Sequence, residues 1–234
     1  MDRVHEKLVS LKGYVGRYRS AIVAFSGGVD STFLARVCKD VLSDKVLLVT
    51  ATSSTYPASE REESIRLASD LGIEQRIIVS EELDIPGFSD NPPDRCYYCK
   101  HELFSHITEI AKKEGFEVVF DGSNVDDLGD YRPGRRAVKE LGILSPLCDA
   151  GLTKEEIRLL SAEYGLSTAT KAAKACLASR FAYGEKITKQ GLNQVEMAED
   201  ELARLGFRQF RVRSHGNIAR VELGIAEIET GWKM

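Results

Sequence analysis

The chain has 234 residues, a formal net charge of −4 and a pI near 5.7, with 43% hydrophobic and 29% charged residues. This length can bury a substantial core and predicts one α/β domain with a smaller appendage, while the acidic balance argues against a broad nucleic-acid-binding surface and leaves room only for a local basic patch. No apolar run reaches the length of a membrane span and Met1-Asp2-Arg3-Val4-His5-Glu6 lacks a signal-peptide core, so we expect a cytoplasmic protein whose five cysteines serve metal binding or catalysis rather than disulfides.

Val4, Leu8, Leu11 and Val15 recur at helical spacing, which predicts an amphipathic helix over residues 2–18. A strand at 20–25, a helix at about 30–42, a strand Lys45–Ala51, a helix from about Pro57 to Leu71 and a strand Gln75–Val79 then alternate. A helix from about Cys96 to Glu114 leads to a strand Glu117–Phe120, whose polar end is Asp121-Gly122-Ser123-Asn124-Val125-Asp126-Asp127. This series predicts a parallel, doubly wound sheet with helices on both faces and ligands beyond the carboxyl ends of its strands. Thr153-Lys154-Glu155-Glu156 reads as a capping box opening a further helix. The pattern then changes to a helix from Thr188 to Leu205 and two short strands, Arg208–Arg213 and Ile218–Leu223, around a turn at His215-Gly216-Asn217. A boundary near residues 165–175 therefore divides a domain over 1–170 from a small α+β domain over 171–234. The end at Met234 follows closely on the last strand, which fits either a chain that continues further or one without a flexible tail.

The strand Ala21–Phe25 runs into Ser26-Gly27-Gly28-Val29-Asp30-Ser31-Thr32. The N–H groups of Gly27, Gly28 and Val29 can converge there on an anion, assisted by the positive end of the following helix. A Cβ at either glycine would hold a phosphate away from the backbone. Ser26, Ser31 and Thr32 offer hydroxyls, and Asp30 could hold a magnesium ion bridging phosphate oxygens. No lysine follows the glycines, so this is not a Walker A loop, and no third spaced glycine makes it a dinucleotide fingerprint.

The seven-residue string resembles the PP-loop of the ATP pyrophosphatases, which cleave ATP between the α and β phosphates. Five further segments, taken together, are similar to the LarE family of ATP-dependent sulfur transferases. They are Asn91-Pro92-Pro93-Asp94-Arg95-Cys96-Tyr97-Tyr98-Cys99-Lys100, Asp121-Gly122-Ser123-Asn124, Tyr131-Arg132-Pro133-Gly134-Arg135, Cys176-Leu177-Ala178-Ser179-Arg180 and Arg211-Val212-Arg213-Ser214-His215-Gly216. The resemblance covers nearly the whole chain in order. It implies a substrate, pyridinium-3,5-biscarboxylic acid mononucleotide, whose carboxylates are adenylylated with release of pyrophosphate and then thiolated. It also implies that Cys176 is a sacrificial sulfur donor, or that Cys96, Cys99 and Cys176 hold a [4Fe–4S] cluster whose open iron binds sulfide. All three cysteines are present, and sacrifice would give Cys96 and Cys99 no role, so the cluster is the preferred expectation. A Cys-x-x-Cys pair alone also fits half a zinc site, with His101 nearby, a redox pair or two buried side chains.

We expect Ser26–Thr32 to cradle pyrophosphate, and Thr50–Ser53 with Gly122–Asn124, including Thr50, Gly122 and Asn124, to take AMP. Arg180, Arg211 and Arg213 are candidates for the nucleotide phosphate or the carboxylates. Glu199 and Glu222 could position a metal or an arginine, and Asp126 and Asp127 could ligate magnesium or cap a helix. Cys38 reads as a core residue. The family usually carries Trp-Asp-Lys-Pro-Ser where this chain has Ala169-Thr170-Lys171-Ala172-Ala173, and proline where Ala182 stands, both of which relax the backbone around Cys176. A homo-oligomer, a sulfide or persulfide donor and no nucleic-acid or membrane partner complete the expectation. The competing functions are a PP-loop tRNA thiolase, an ammonia-using synthetase and a nucleotide-binding regulator without chemistry.

Overall fold

A computed structural model describes residues 2–129 and 133–232. Tyr131 and Arg132 of the quoted motif lie outside the described residues.

The first compact unit comprises residues 1–52, 58–80 and 96–173. Its sheet has four parallel strands in the order β3-β2-β1-β4, with β1 Ala21–Ala24, β2 Val46–Thr52, β3 Glu74–Val79 and β4 Val118–Phe120. Ala21 to Ala24 pair in register with Val46 to Val49, and Ala21 to Val23 with Val118 to Phe120. Both central strands are almost continuously apolar because each face of the sheet is covered. Side chains alternate across a strand, and the core divides accordingly. Ala21, Val23, Val46 and Leu48 join one cluster with Leu8 and Leu11 of α1 (Arg3–Val15), Phe33 and Leu34 of α2 (Val29–Leu42), and Leu67 of α3 (Ala58–Leu71). Ile22, Leu47, Val49 and Val119 join another with Phe104 and Ile107 of α4 (Arg95–Glu114) and Val138 of α5 (Gly134–Glu140). The doubly wound architecture expected from the alternating pattern is the one found.

Two further helices complete this unit. The four-residue α6 (Pro146–Asp149) precedes α7 (Lys154–Glu163), whose capping box closes as its sequence predicts. Thr153 accepts from the Glu156 N–H, and the Glu156 carboxylate accepts from the Thr153 N–H. Lys7 of α1 donates to both oxygens of Glu156, so the cap also ties α1 to α7.

The second compact unit takes in residues 53–57, 81–95 and 174–234. It contains α8 (Lys189–Arg204), an antiparallel hairpin of β5 (Phe210–His215) and β6 (Ile218–Leu223), and the short α9 (Ile228–Trp232). Leu192 and Val195 of α8 and Val212 of β5 are buried. The hairpin register sets Arg211 opposite Glu222 and Arg213 opposite Arg220, on one face of the ribbon. Among the described residues no helix is long and apolar enough to cross a membrane.

Candidate active site

The loop between β1 and α2 follows the buried Phe25 at the carboxyl edge of the sheet. Gly27 has φ +68°, and a Cβ there would lie 3.3 Å from Cα and Cβ of Ser64, so the position needs glycine on two counts. Gly28 is the N-cap of α2 and supplies no side-chain cap, leaving the first-turn N–H groups without an intrahelical partner. The loop is braced internally. The Gly28 N–H donates to Ser26 Oγ at 3.3 Å, Ser31 Oγ donates to the Gly28 carbonyl at 3.2 Å, and the Ser26 N–H donates to Ser31 Oγ at 3.3 Å. Ser31 and Thr32 are buried, and Thr32 Oγ1 is enclosed without a hydrogen-bond partner.

Gly122, just past β4, approaches this helix start so closely that a Cβ would sit 3.1 Å from Ser31 N. Asn124 is buried and caps the 3-10 turn Val125–Leu128 by accepting from Asp126 N, while Asp127 accepts from Asn124 N. Asp126 accepts from the Lys154 N–H at the start of α7. Both aspartates thus act as caps. Thr50 is also buried, its hydroxyl donating 2.6 Å to the Phe25 carbonyl and accepting from Gln75.

Two lysines that sequence reasoning passed over reach this loop from distant segments. Lys154 pairs with Asp30 Oδ2, while Asp30 Oδ1 is enclosed and accepts no hydrogen bond. Lys171 donates to the Gly27 carbonyl at 3.1 Å and to Glu60 and Glu63 of α3 at 2.8 and 2.7 Å. Arg158 fixes the segment carrying Lys171 by donating to the carbonyls of Ala169 and Lys171, each at 2.6 Å. Two ammonium groups thus reach the loop from outside it, each paired with carboxylates. The signals were Lys171 within the stretch that replaces Trp-Asp-Lys-Pro-Ser and Lys154 within the capping box.

Cys96 is exposed and Cys99 half-buried, three residues apart in the first turns of α4. Cys176, in the second unit, is exposed as the N-cap of the 3-10 turn Leu177–Arg180. Among the described residues no three His, Cys, Asp or Glu side chains gather into a group that could hold a metal. Cys96 and Cys99 belong to the first unit and Cys176 to the second, and neither the expected [4Fe–4S] cluster nor the zinc alternative through His101 has an assembled ligand set among the described residues. Cys38 is enclosed in the core, where burial pushes its thiol above the ordinary range. Burial and then the Asp121 carboxylate push the Cys148 thiol up to about 11.

The arginines of the second unit divide in role. Arg180 is only 4% exposed, and its Nε and Nη2 make a bidentate pair with Glu199 at 2.7 and 3.0 Å. Its Nη1 donates to Ser179 Oγ at 2.8 Å and to the Ala175 carbonyl at 3.3 Å, on the N-terminal side of Cys176. Glu199 also accepts from the Val212 N–H. Leu177 N donates to the Thr55 carbonyl, so the Cys176 turn is pinned on both sides. Arg213 pairs with Glu222 at 2.8 Å and donates to the Ser179 carbonyl at 3.1 Å. Hydrogen bonds from Arg213, joined by Arg220, hold the Glu222 carboxyl down at about 2. Arg211 is exposed.

Comparison with known proteins agrees with this layout. A sequence model of the NAD synthase family matches residues 4–85, the segment that carries the loop. The NH3-dependent NAD synthetase of Campylobacter jejuni shares the fold, with a TM-score of 0.59 and 18% identity over 88% of each chain. An uncharacterised protein of Synechocystis is 42% identical over 97% of this chain and 84% of its own. The pyridinium-3,5-bisthiocarboxylic acid mononucleotide synthase of Lactiplantibacillus plantarum is 39% identical over 88% of this chain and 75% of its own. An uncapped PP-loop, a pinned cysteine turn and this identity to a named synthase lead to one assignment: the chain is an enzyme of the LarE family of sulfur transferases, within the PP-loop ATP pyrophosphatases.

Proposed function

We propose that the protein activates the carboxylates of pyridinium-3,5-biscarboxylic acid mononucleotide with ATP and converts them to thiocarboxylates. The observation that carries the ATP half is the loop Ser26–Thr32 with its positive-φ glycine and uncapped helix start. The substrate follows from the name of the L. plantarum relative. In this reading a substrate carboxylate oxygen attacks the α-phosphorus of ATP and pyrophosphate leaves, forming an acyl-adenylate. The loop amides and the hydroxyls of Ser26, Ser31 and Thr32 take the charge that collects on the departing pyrophosphate, with Lys154 and Lys171 beside them. Magnesium, when bound, screens that charge, and Asp30 Oδ1 is the oxygen available to it. Gly122 and Asn124 border the nucleotide. Of the expected adenine-side residues, Thr50 contributes by fixing the Phe25 carbonyl ahead of the loop.

Sulfur transfer is assigned to Cys176. Its thiolate attacks the carbonyl carbon of the acyl-adenylate and AMP leaves, giving a thioester. Loss of the Cys176 Cα proton then drives cleavage of the Cβ–Sγ bond, so sulfur stays with the substrate and dehydroalanine remains in the chain. Arg211 and Arg213 are the groups proposed for the substrate's phosphate or carboxylates, and Arg180 serves by shaping the cysteine turn. The reaction belongs in the cytoplasm, where thiols stay reduced.

The second reading keeps sulfur on a cluster held by Cys96, Cys99 and Cys176, and the placement of Cys96 and Cys99 on successive turns of α4 favours it. Mass spectrometry of the protein after one turnover separates the two. The sacrificial route predicts a loss of about 34 Da at Cys176, the mass of hydrogen sulfide. An unchanged Cys176 with product formed, and iron and sulfide in the purified protein, would replace it with the cluster route.

A further inference from the structure

Arg95 stands out in the second unit as a charged side chain without a counter-charge. It is 6% exposed, yet among the described residues no carboxylate pairs with it. Among the described residues its one side-chain hydrogen bond runs from Nη1 to Asn91 Oδ1 at 2.7 Å. Nε is fully enclosed and has no partner, whereas Nη2 is not among the enclosed atoms. The guanidinium lies 5.0 Å from the centroid of the Tyr183 ring, and that tyrosine is 64% exposed. Taking a guanidinium out of water without an anion is costly, and proteins ordinarily meet the cost with a carboxylate. Here none is supplied.

The surroundings are built to keep Arg95 in place. Asn91 is fully buried and adopts φ +54°, one of two non-glycine residues with positive φ among those described. Its Nδ2 donates to the Ala182 carbonyl at 2.7 Å, its carbonyl accepts from Gly184 N at 3.0 Å, and its N–H donates to the Phe88 carbonyl at 2.9 Å. Asparagine is among the side chains that tolerate this conformation. The amide oxygen of a side chain locked at both ends thus aims the guanidinium, while the Tyr183 face adds a cation–π contact.

We propose that Arg95 is an anion-binding residue whose Nη2, left outside the enclosed part of the guanidinium, receives a carboxylate or phosphate oxygen of the pyridinium mononucleotide. A guanidinium buried without a counter-charge, with Nη1 spent on Asn91, is matched by an oxyanion at Nη2. Arg95 also immediately precedes Cys96 in the chain. The inference rests on the proposed substrate, and the test separates the two. Binding of pyridinium-3,5-biscarboxylic acid mononucleotide, and of the same nucleoside without its phosphate, is measured by calorimetry on the wild-type protein, Arg95→Gln and Arg95→Lys, with thermal unfolding of each.

Wild type binds the mononucleotide, Arg95→Gln weakens it about 10- to 100-fold, and Arg95→Lys recovers part of the loss because it keeps the charge without the fork. An equal loss for nucleotide and nucleoside assigns Arg95 to a carboxylate; a loss confined to the nucleotide assigns it to the phosphate. A purely structural arginine would lower the unfolding temperature of both variants and leave affinity unchanged in the folded protein, which would overturn the proposal. Should Arg95→Gln fail to fold, Arg95→Lys with wild-type affinity for both compounds would overturn it. Wild-type protein that binds neither compound would overturn the substrate assignment itself.

Discussion

A methyl group at Gly27 and a methyl group at Gly28 have different consequences, and the contrast tests the loop. At Gly27 it meets Ser64 and sits on a residue with φ +68°, so Gly27→Ala is expected to destabilise the fold by about 1–2 kcal/mol as well as to stop pyrophosphate release. At Gly28 φ is −77° and the added carbon faces only Ser26 Oγ at 3.3 Å. Gly28→Ala therefore keeps stability within about 0.5 kcal/mol of wild type. It nevertheless loses at least about 100-fold in pyrophosphate release, because the methyl occupies the space where phosphate meets the backbone. Normal release by Gly28→Ala in a substrate-driven assay would remove the loop from the chemistry. Cys176→Ser separates the two half-reactions: pyrophosphate is still released and no thiocarboxylate is made, as read by mass spectrometry of the small-molecule products.

At the scale of elements, a buried ion pair, Arg180–Glu199, and a half-exposed one, Arg213–Glu222, respond differently to perturbation in the second unit. Arg180 and Glu199 join the cysteine turn to α8, and through Val212 N to β5. Removing either partner strands the other charge, so Glu199→Ala should cost about 3 kcal/mol in denaturant unfolding. It should also loosen Cys176, seen as a changed rate of thiol alkylation in the folded protein. The Glu222 pair behaves differently with pH. Its folded carboxyl, held at about 2, lies below the unfolded value of about 4.3, so its stabilisation is complete above the latter and is lost as pH falls through the former. The urea midpoints of wild type and Glu222→Gln should differ at pH 7 and converge toward pH 2. A difference that persists unchanged to pH 2 would contradict this account of the pair.

The same scale shows what the sequence made legible. The strands could be placed because each central one is a short apolar run, α2 and α3 because they fill the intervals between strands, and α7 and α8 because a capping threonine stands at the start of each. The helices α5 and α6, with seven and four residues, are too short for a periodic signal. The loop was readable because its chemistry is local, within Ser26–Thr32. Lys171 at Gly27 was not, since that contact joins positions 144 residues apart. Nor could spacing reveal that Asn91 takes a left-handed conformation and aims Arg95, or that the Arg180 guanidinium is spent on Glu199 and the backbone beside Cys176.

At the scale of the whole molecule, one chain carries the Ser26–Thr32 loop on a doubly wound sheet and a cysteine turn in a second, interleaved unit whose segments 53–57 and 81–95 come from between elements of the first. This division mirrors the two half-reactions proposed, activation of a carboxylate and delivery of sulfur. The account stands or falls on their coupling. The most direct test is to mix the protein with ATP, magnesium and pyridinium-3,5-biscarboxylic acid mononucleotide and to follow pyrophosphate and thiocarboxylate together. The account predicts that pyrophosphate appears only when the mononucleotide is present, and that one thiocarboxylate forms per intact Cys176 before the reaction stops. Pyrophosphate release that ignores the mononucleotide, or release with no sulfur transferred to it by the wild-type protein, would contradict the central claim.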